Sequence, residues 1–291
     1  MAVNNILRKA VISAILALGA TSAMAGDVTV AGNYLKFGVS NNGALIDFTT
    51  MTGLQFDPSG TGNFTNGIDF LTPGLPFAFY SIGVNGSSAV ANYNNNPFGA
   101  STGSMTLAGT AYVATSGGTF GGLKFTQSIT FDTSSNIIHS NVVLTNISGG
   151  TLNNIAYGVG FDPDQDVNTF GQYATQNTIL GQGVGGAVSA LGTNTGFKVT
   201  LSSTGGWSAN ASISTPWETD PYALASVATG NSYSDSSIAL GYQFNSLGKG
   251  QQISIGYDFT VSAAPVPEPA TYAMMIAGLG LVGFAARRRK A

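Results

Sequence analysis

The 291-residue sequence contains no cysteine and a single histidine, His139. A disulfide scaffold, a thiolate metal site and a cysteine nucleophile are therefore excluded, and one histidine cannot build a zinc centre of the usual His/Cys kind. Charge is almost as scarce, at 8% of residues against a usual share of about 25%. No arginine occurs between Arg8 and Arg287, and the long middle region has only Lys36, Lys124, Lys198 and Lys249 as cations. Twelve acids between Asp27 and Asp258 face those four lysines, leaving this region net negative by eight. Such a surface repels phosphate backbones, so no nucleic-acid partner is expected. The middle region also lacks a Gly-x-Ser-x-Gly nucleophile elbow, a repeat of fixed period and a convincing 3.6-residue apolar period. Its glycine-rich run at 181–186 has no lysine to hold a phosphate.

The basic residues that do exist sit mostly at the two ends. Arg8 and Lys9 precede a short apolar stretch from Ala10 to Ala20, and Ala23, Met24 and Ala25 form a small-x-small cleavage site. Residues 1–25 thus read as a secretory signal peptide, cut between Ala25 and Gly26. At the other end, Pro267-Glu268-Pro269 is followed by an apolar run over 272–286 and then by Arg287, Arg288, Arg289 and Lys290. The prolines hold the backbone extended and accessible. The apolar run reads as a short transmembrane helix of about 22 Å, and the basic cluster stays cytoplasmic by the positive-inside rule. The Pro-Glu-Pro segment would then lie at the outer face of the inner membrane.

These tail elements, with Ala270-Thr271 and the glycine-rich segment from Ala277 to Gly283, together resemble the PEP-CTERM domain. The resemblance covers about the last 25 residues. It implies recognition and processing by an exosortase, a membrane protease-transpeptidase, after passage through the export machinery. It also implies a Gram-negative host that makes extracellular polysaccharide, transient anchoring in the inner membrane, and a final address at the cell surface or in the matrix.

The region from 26 to 262 is expected to be all-β. The stretches 123–131 and 253–261 alternate apolar and polar residues with period two, as a half-buried strand does. The stretch 136–146 continues the pattern, with Ile137, Val143 and Ile147 suited to a pleated face. Clusters of Gly, Asn, Ser and Pro between these stretches supply turns. Many short strands predict an antiparallel β-sandwich, one large sandwich or a double supersandwich. The segment from Leu144 to Ile155 reads as a strand, a turn and a returning strand. A linker follows the body, so residues 263–291 form the sorting tail.

Candidate chemistry is concentrated in a few places. Asp162, Asp164 and Asp166 stand at alternate positions, with Asn168 next. Like charges this close repel, and a hard divalent cation relieves the repulsion through oxygen ligands. The spacing matches the start of an EF-hand-type loop, but Val167 replaces its glycine and Tyr173 its closing glutamate. A structural Ca²⁺ site on an inter-strand loop is therefore expected, with Asp162, Asp164, Asp166 and Asn168 as ligands. Trp207, Trp217 and Tyr222 could line a sugar-binding face, because aromatic rings stack on apolar sugar faces. Glu218 and Asp220 lie beside them, although a glycosidase needs two carboxylates at a set separation. His139, the one possible triad histidine, falls in the alternating strand pattern. The expected function is a non-enzymatic, exported surface or matrix protein with a structural or adhesive role. One rival is a carbohydrate-binding module for exopolysaccharide. The other is a secreted sugar-acting enzyme resembling mutarotase-type supersandwiches.

Overall fold

The computed structural model describes residues 26–103, 106–263, 275 and 277–279. The signal peptide, its Ala25 cleavage residue, the Pro267-Glu268-Pro269 motif and the Arg287–Lys290 cluster lie outside the described residues. Among the described residues no helix is long and apolar enough to cross a membrane, and most of the 272–286 run is not described.

Every strand pairing in the described body is antiparallel, in three sheets. A small sheet contains β1 (Val28–Ala31), β2 (Leu35–Val39) and β3 (Leu54–Phe56). The largest runs in the order β17 (Ser232–Ser234), β12 (Thr175–Gly181), β14 (Ala187–Leu191), β15 (Phe197–Ser203), β19 (Gln252–Ala263), β10 (Ile137–Asn146), β9 (Leu123–Asp132), β8 (Ala111–Phe120) and β6 (Ser101–Thr102). Its remaining strand, β7 (Thr106–Ala108), also pairs with β8. The third sheet runs β13 (Gly183–Val184), β16 (Ser208–Ser214), β18 (Ser237–Leu247), β11 (Leu152–Phe161), β4 (Ala78–Val84) and β5 (Ser87–Ala91). Two short helices complete the body, α1 (Val167–Phe170) and α2 (Pro221–Ser226).

The two large sheets face each other across one apolar core. Tyr80 of β4 packs on Phe125 of β9 at 5.5 Å between ring centroids, and Phe161 of β11 on Phe259 of β19 at 5.5 Å. The small sheet closes onto the same core through Phe37 against Phe131 and Phe56 against Phe197, both at 5.2 Å. Each such ring or aliphatic side chain taken from water contributes about 1.5–3 kcal/mol. Between the sheets Tyr157 and Tyr257 approach with hydroxyls 3.3 Å apart, and Gln127 Nε2 donates to the Tyr257 hydroxyl at 3.2 Å. Burial holds both phenols above their ordinary pKa.

The alternation read in the sequence is the alternation seen. β9 buries Leu123, Phe125, Gln127, Ile129 and Phe131 and turns the alternate residues, Lys124, Thr126, Ser128 and Thr130, away from the core. Gly121 and Gly122, at φ +56° and +87°, make the tight turn joining it to β8, a geometry that glycine adopts without strain. In β10, however, the inward face is Ile138, Ser140, Val142 and Leu144, so Ile137 and Val143 sit on the other face and Ile147 is exposed. A one-residue choice of parity reverses a whole strand face. The segment after Leu144 also departs from a returning hairpin. β10 and β11 belong to opposite sheets, and the buried Asn146 side chain holds the crossing by donating to Gly150 and Leu247 carbonyls at 2.7 Å.

Strands β4, β11 and β18 are buried on both faces for much of their length because α2 lies over the outer face of their sheet. Glycine makes this close approach available. Gly158 and Gly241 are register partners on adjacent strands. A Cβ on Gly241 would stand 2.2 Å from the Leu224 carbonyl carbon, and one on Gly158 2.7 Å from a Leu224 methyl. A pair of ordinary residues there would push α2 off the sheet.

Candidate functional site

Antiparallel register assembles an acidic cluster at one end of the β11–β18 pair. Phe161 and Ile238 are partners at that end, so the chain leaving β11 at Asp162 runs beside the chain entering β18, which carries Asp235. Asp162, Asp164 and Asp235 each place a carboxylate oxygen within 4.8 Å of the others. The backbone around them is fixed: Asp162 N–H donates to Phe77 C=O at 2.9 Å and Asp164 N–H to Phe70 C=O at 2.8 Å. Asp162 and Asp164 are buried and Asp235 is exposed, giving an inner pair with one carboxylate open to solvent. Burial, aided by the Asp235 charge, raises the Asp162 carboxyl to a pKa of about 7. Burial, with the Asp162 and Asp235 charges, raises Asp164 to about 8.

The sequence spacing placed Asp166 and Asn168 with this pair, and the structure turns both elsewhere. Asp166 adopts helical backbone angles at the start of α1, which breaks the alternation carrying Asp162 and Asp164 to one side. Its buried carboxylate instead accepts from Asn194 N and Nδ2 and from Thr195 N and Oγ1, at 2.6–3.2 Å. This pins the turn between β14 and β15. Asn168 Nδ2 donates to Gly67 C=O at 2.9 Å. Asp235 was missed because its partners lie about seventy residues earlier, and only strand pairing brings them together.

The three aromatic candidates do not share a face. Trp207 precedes β16 and Trp217 follows it, so about seven strand residues, roughly 23 Å, separate them. Trp217 stacks on Phe77 at 4.3 Å. Tyr222 lies over Gly83, donates to Asn154 C=O at 2.7 Å and accepts from Gly86 N–H at 3.1 Å. Trp207 alone of the three is exposed; it meets Phe244 edge-on at 5.1 Å. It borders an open groove of about 580 Å³ whose rim includes Gln243, Asn245, Ser246, Gln251 and Gln252. Those amides and hydroxyls, beside an indole, are suited to hydrogen-bonding and stacking on a polar ring.

The remaining carboxylates near these aromatics are occupied. Glu218 accepts from Thr219 N and Asp220 N at 2.8 Å, and Asp220 caps α2 by accepting from Tyr222 N at 3.2 Å. His139 lies on the outward face of β10, about half exposed, with Nδ1 2.8 Å from the Asp258 carboxylate of the paired strand. The two side chains form a direct cross-strand pair.

Residues 265–290 match the PEP-CTERM protein-sorting motif. The tail is a PEP-CTERM sorting signal. That motif marks export and exosortase-directed sorting to the cell surface, so the chain is an exported, exosortase-sorted protein. No curated protein matches the chain in sequence. Among solved structures, the body is similar to a bacterial glucoamylase in complex with acarbose, at 13% identity and a TM-score of 0.51. That match covers 89% of this chain and 35% of the glucoamylase, so the chain spans about a third of that protein's length. The likeness is one of fold. An Escherichia coli K12 protein assigned as an aldose 1-epimerase matches at 11% identity and a TM-score of 0.41, over 82% of this chain and all of that one. A Geobacillus stearothermophilus α-galactosidase matches at 9% and 0.43, over 81% of this chain and 40% of that one.

Proposed function

We propose that this chain is a non-enzymatic structural or adhesive protein of the extracellular matrix, with its body built as one large β-sandwich of the supersandwich kind. The observation that carries the reading is the PEP-CTERM tail on a single stacked-sheet body. Export delivers the body to the outer face of the inner membrane, and tail processing passes it on to a surface rich in polysaccharide. A low-charge, net-negative body with outward rows of Ser, Thr and Asn remains hydrated there by hydrogen bonding.

A second reading, a carbohydrate-binding module, is favoured by the exposed Trp207 beside its amide-lined groove. One experiment separates the two. The exported protein is passed over immobilised exopolysaccharide from its own host, alongside a Trp207→Ala variant, and matrix cohesion is measured in a strain lacking the chain. The structural reading predicts a matrix that fragments at lower shear, with equal retention of both proteins on the polysaccharide. Retention that falls at least fivefold in Trp207→Ala supports the module, since a lost aromatic stack is worth about 1 kcal/mol or more. Unchanged cohesion with no retention of either protein overturns both.

A further inference from the structure

We propose that Asp162, Asp164 and Asp235 form a divalent-cation site, selective for calcium, that clips the end of β11 to the connection entering β18. The inference stands on the geometry of these residues and does not depend on a matrix role.

The treatment of carboxylates elsewhere in the body makes this cluster exceptional. Asp69 accepts from Gly53, Leu54 and Leu71 N–H groups. Asp57 accepts from Ser59, Thr61 and Asn63, and Asp166 from Asn194 and Thr195. In each case a buried carboxylate is met by donors, as desolvation requires. Asp164 is 2% exposed, yet its Oδ1 is sealed from solvent and meets no hydrogen-bond donor. Its charge neighbours are acids, Asp162 and Asp235. A buried carboxylate with an unpartnered oxygen, set among two other carboxylates, lacks a positive partner.

A cation supplies that centre. The converging oxygens lie within 4.8 Å of one another, a spread that one ion with bonds of 2.3–2.6 Å can bridge. An all-oxygen ligand set suits a hard ion, and three carboxylates with one on the solvent side suit the flexible coordination of calcium better than the strict octahedron of magnesium. The open side at Asp235 gives an entry path and leaves room for water ligands. Because Asp235 lies between β17 of the ten-stranded sheet and β18 of the six-stranded sheet, the ion would tie a sheet-crossing connection in place. An affinity of about 10⁻⁴–10⁻³ M is typical of extracellular modules.

The test uses the full exported protein, stripped with chelator and titrated with CaCl₂, and separately with MgCl₂, by calorimetry and thermal melting. Calcium is expected to raise the melting temperature saturably, with magnesium at least tenfold weaker. Asp235→Asn, at an exposed position, should fold normally and weaken calcium at least tenfold. Asp166→Asn should start from a lower melting temperature yet keep the calcium-induced rise. No rise at 10 mM calcium, or an undiminished rise in Asp235→Asn, overturns the site. A rise lost in Asp166→Asn but kept in Asp235→Asn overturns this ligand set in favour of the Asp166 side of the loop.

Discussion

Replacing Asp166 by alanine is expected to destabilise the body by about 3 kcal/mol, a fall of roughly 6–12 °C in melting temperature for a domain this size. The Asp166 carboxylate is fully buried and receives four donors from Asn194 and Thr195. Alanine would strand those donors around a void, and stranded buried partners cost more than the bonds themselves contribute. Gln165 beside it donates to the Ala190 and Phe197 carbonyls, so the same loop is tied twice to β14 and β15. Asparagine should recover only part of the loss, because its amide nitrogen would face donors. Melting curves in chelator and in calcium should show the same drop. A drop confined to the calcium condition would mean that Asp166 ligates the ion.

The cation-free protein should lose stability as pH rises, opposite to the usual behaviour of acids in folded proteins. An unfolded aspartate titrates near 3.8, whereas the folded carboxyls of Asp162 and Asp164 titrate at about 7 and 8. The folded state therefore holds protons that the unfolded chain has released. Their stabilising contribution is complete below about pH 4 and is lost progressively as pH rises to about 8. Asp47 and Asp132, held below their ordinary values by hydrogen bonds from neighbouring Thr and Ser groups, act in the opposite sense at lower pH, outside this window. Chelated protein should melt several degrees lower at pH 8.5 than at pH 5.5, and Asp164→Asn should flatten that slope. Millimolar calcium should also remove it, because the ion binds the ionised pair. A melting temperature that rises between pH 5.5 and 8.5 in chelator would contradict the protonation of this pair.

Much of the architecture was legible because half-buried strands write their burial into alternate residues. The stretches 123–131 and 253–261 became β9 and β19 with their apolar residues inward. β10 was legible as a strand but not in its facing, since Ile137 and Val143 on one side compete with Ile138, Val142 and Leu144 on the other. The parity is set by what lies across the core, which a local pattern does not contain. β4, β11 and β18 hid for a related reason: α2 covers their outer face, so alternation gives way to continuous burial, with Gly158 and Gly241 as the trace of the contact. At the acidic cluster the sequence exposed Asp162 and Asp164 through their spacing. Extending that spacing to Asp166 failed where the backbone turned helical, and nothing local pointed to Asp235. Trp207, Trp217 and Tyr222 are neighbours in sequence, but the length of β16 and the packing of α2 carry them apart.

The central claim, that the tail delivers this β body to the cell surface, is tested most directly by intact-mass analysis of the protein from surface, medium and membrane fractions, with and without the host's exosortase. The account predicts a product that begins at Gly26 and ends near Pro267-Glu268-Pro269 in the surface or medium fraction, and that disappears when the exosortase is absent. A protein that keeps Arg287, Arg288, Arg289 and Lys290 and stays in the inner membrane of both strains would contradict it.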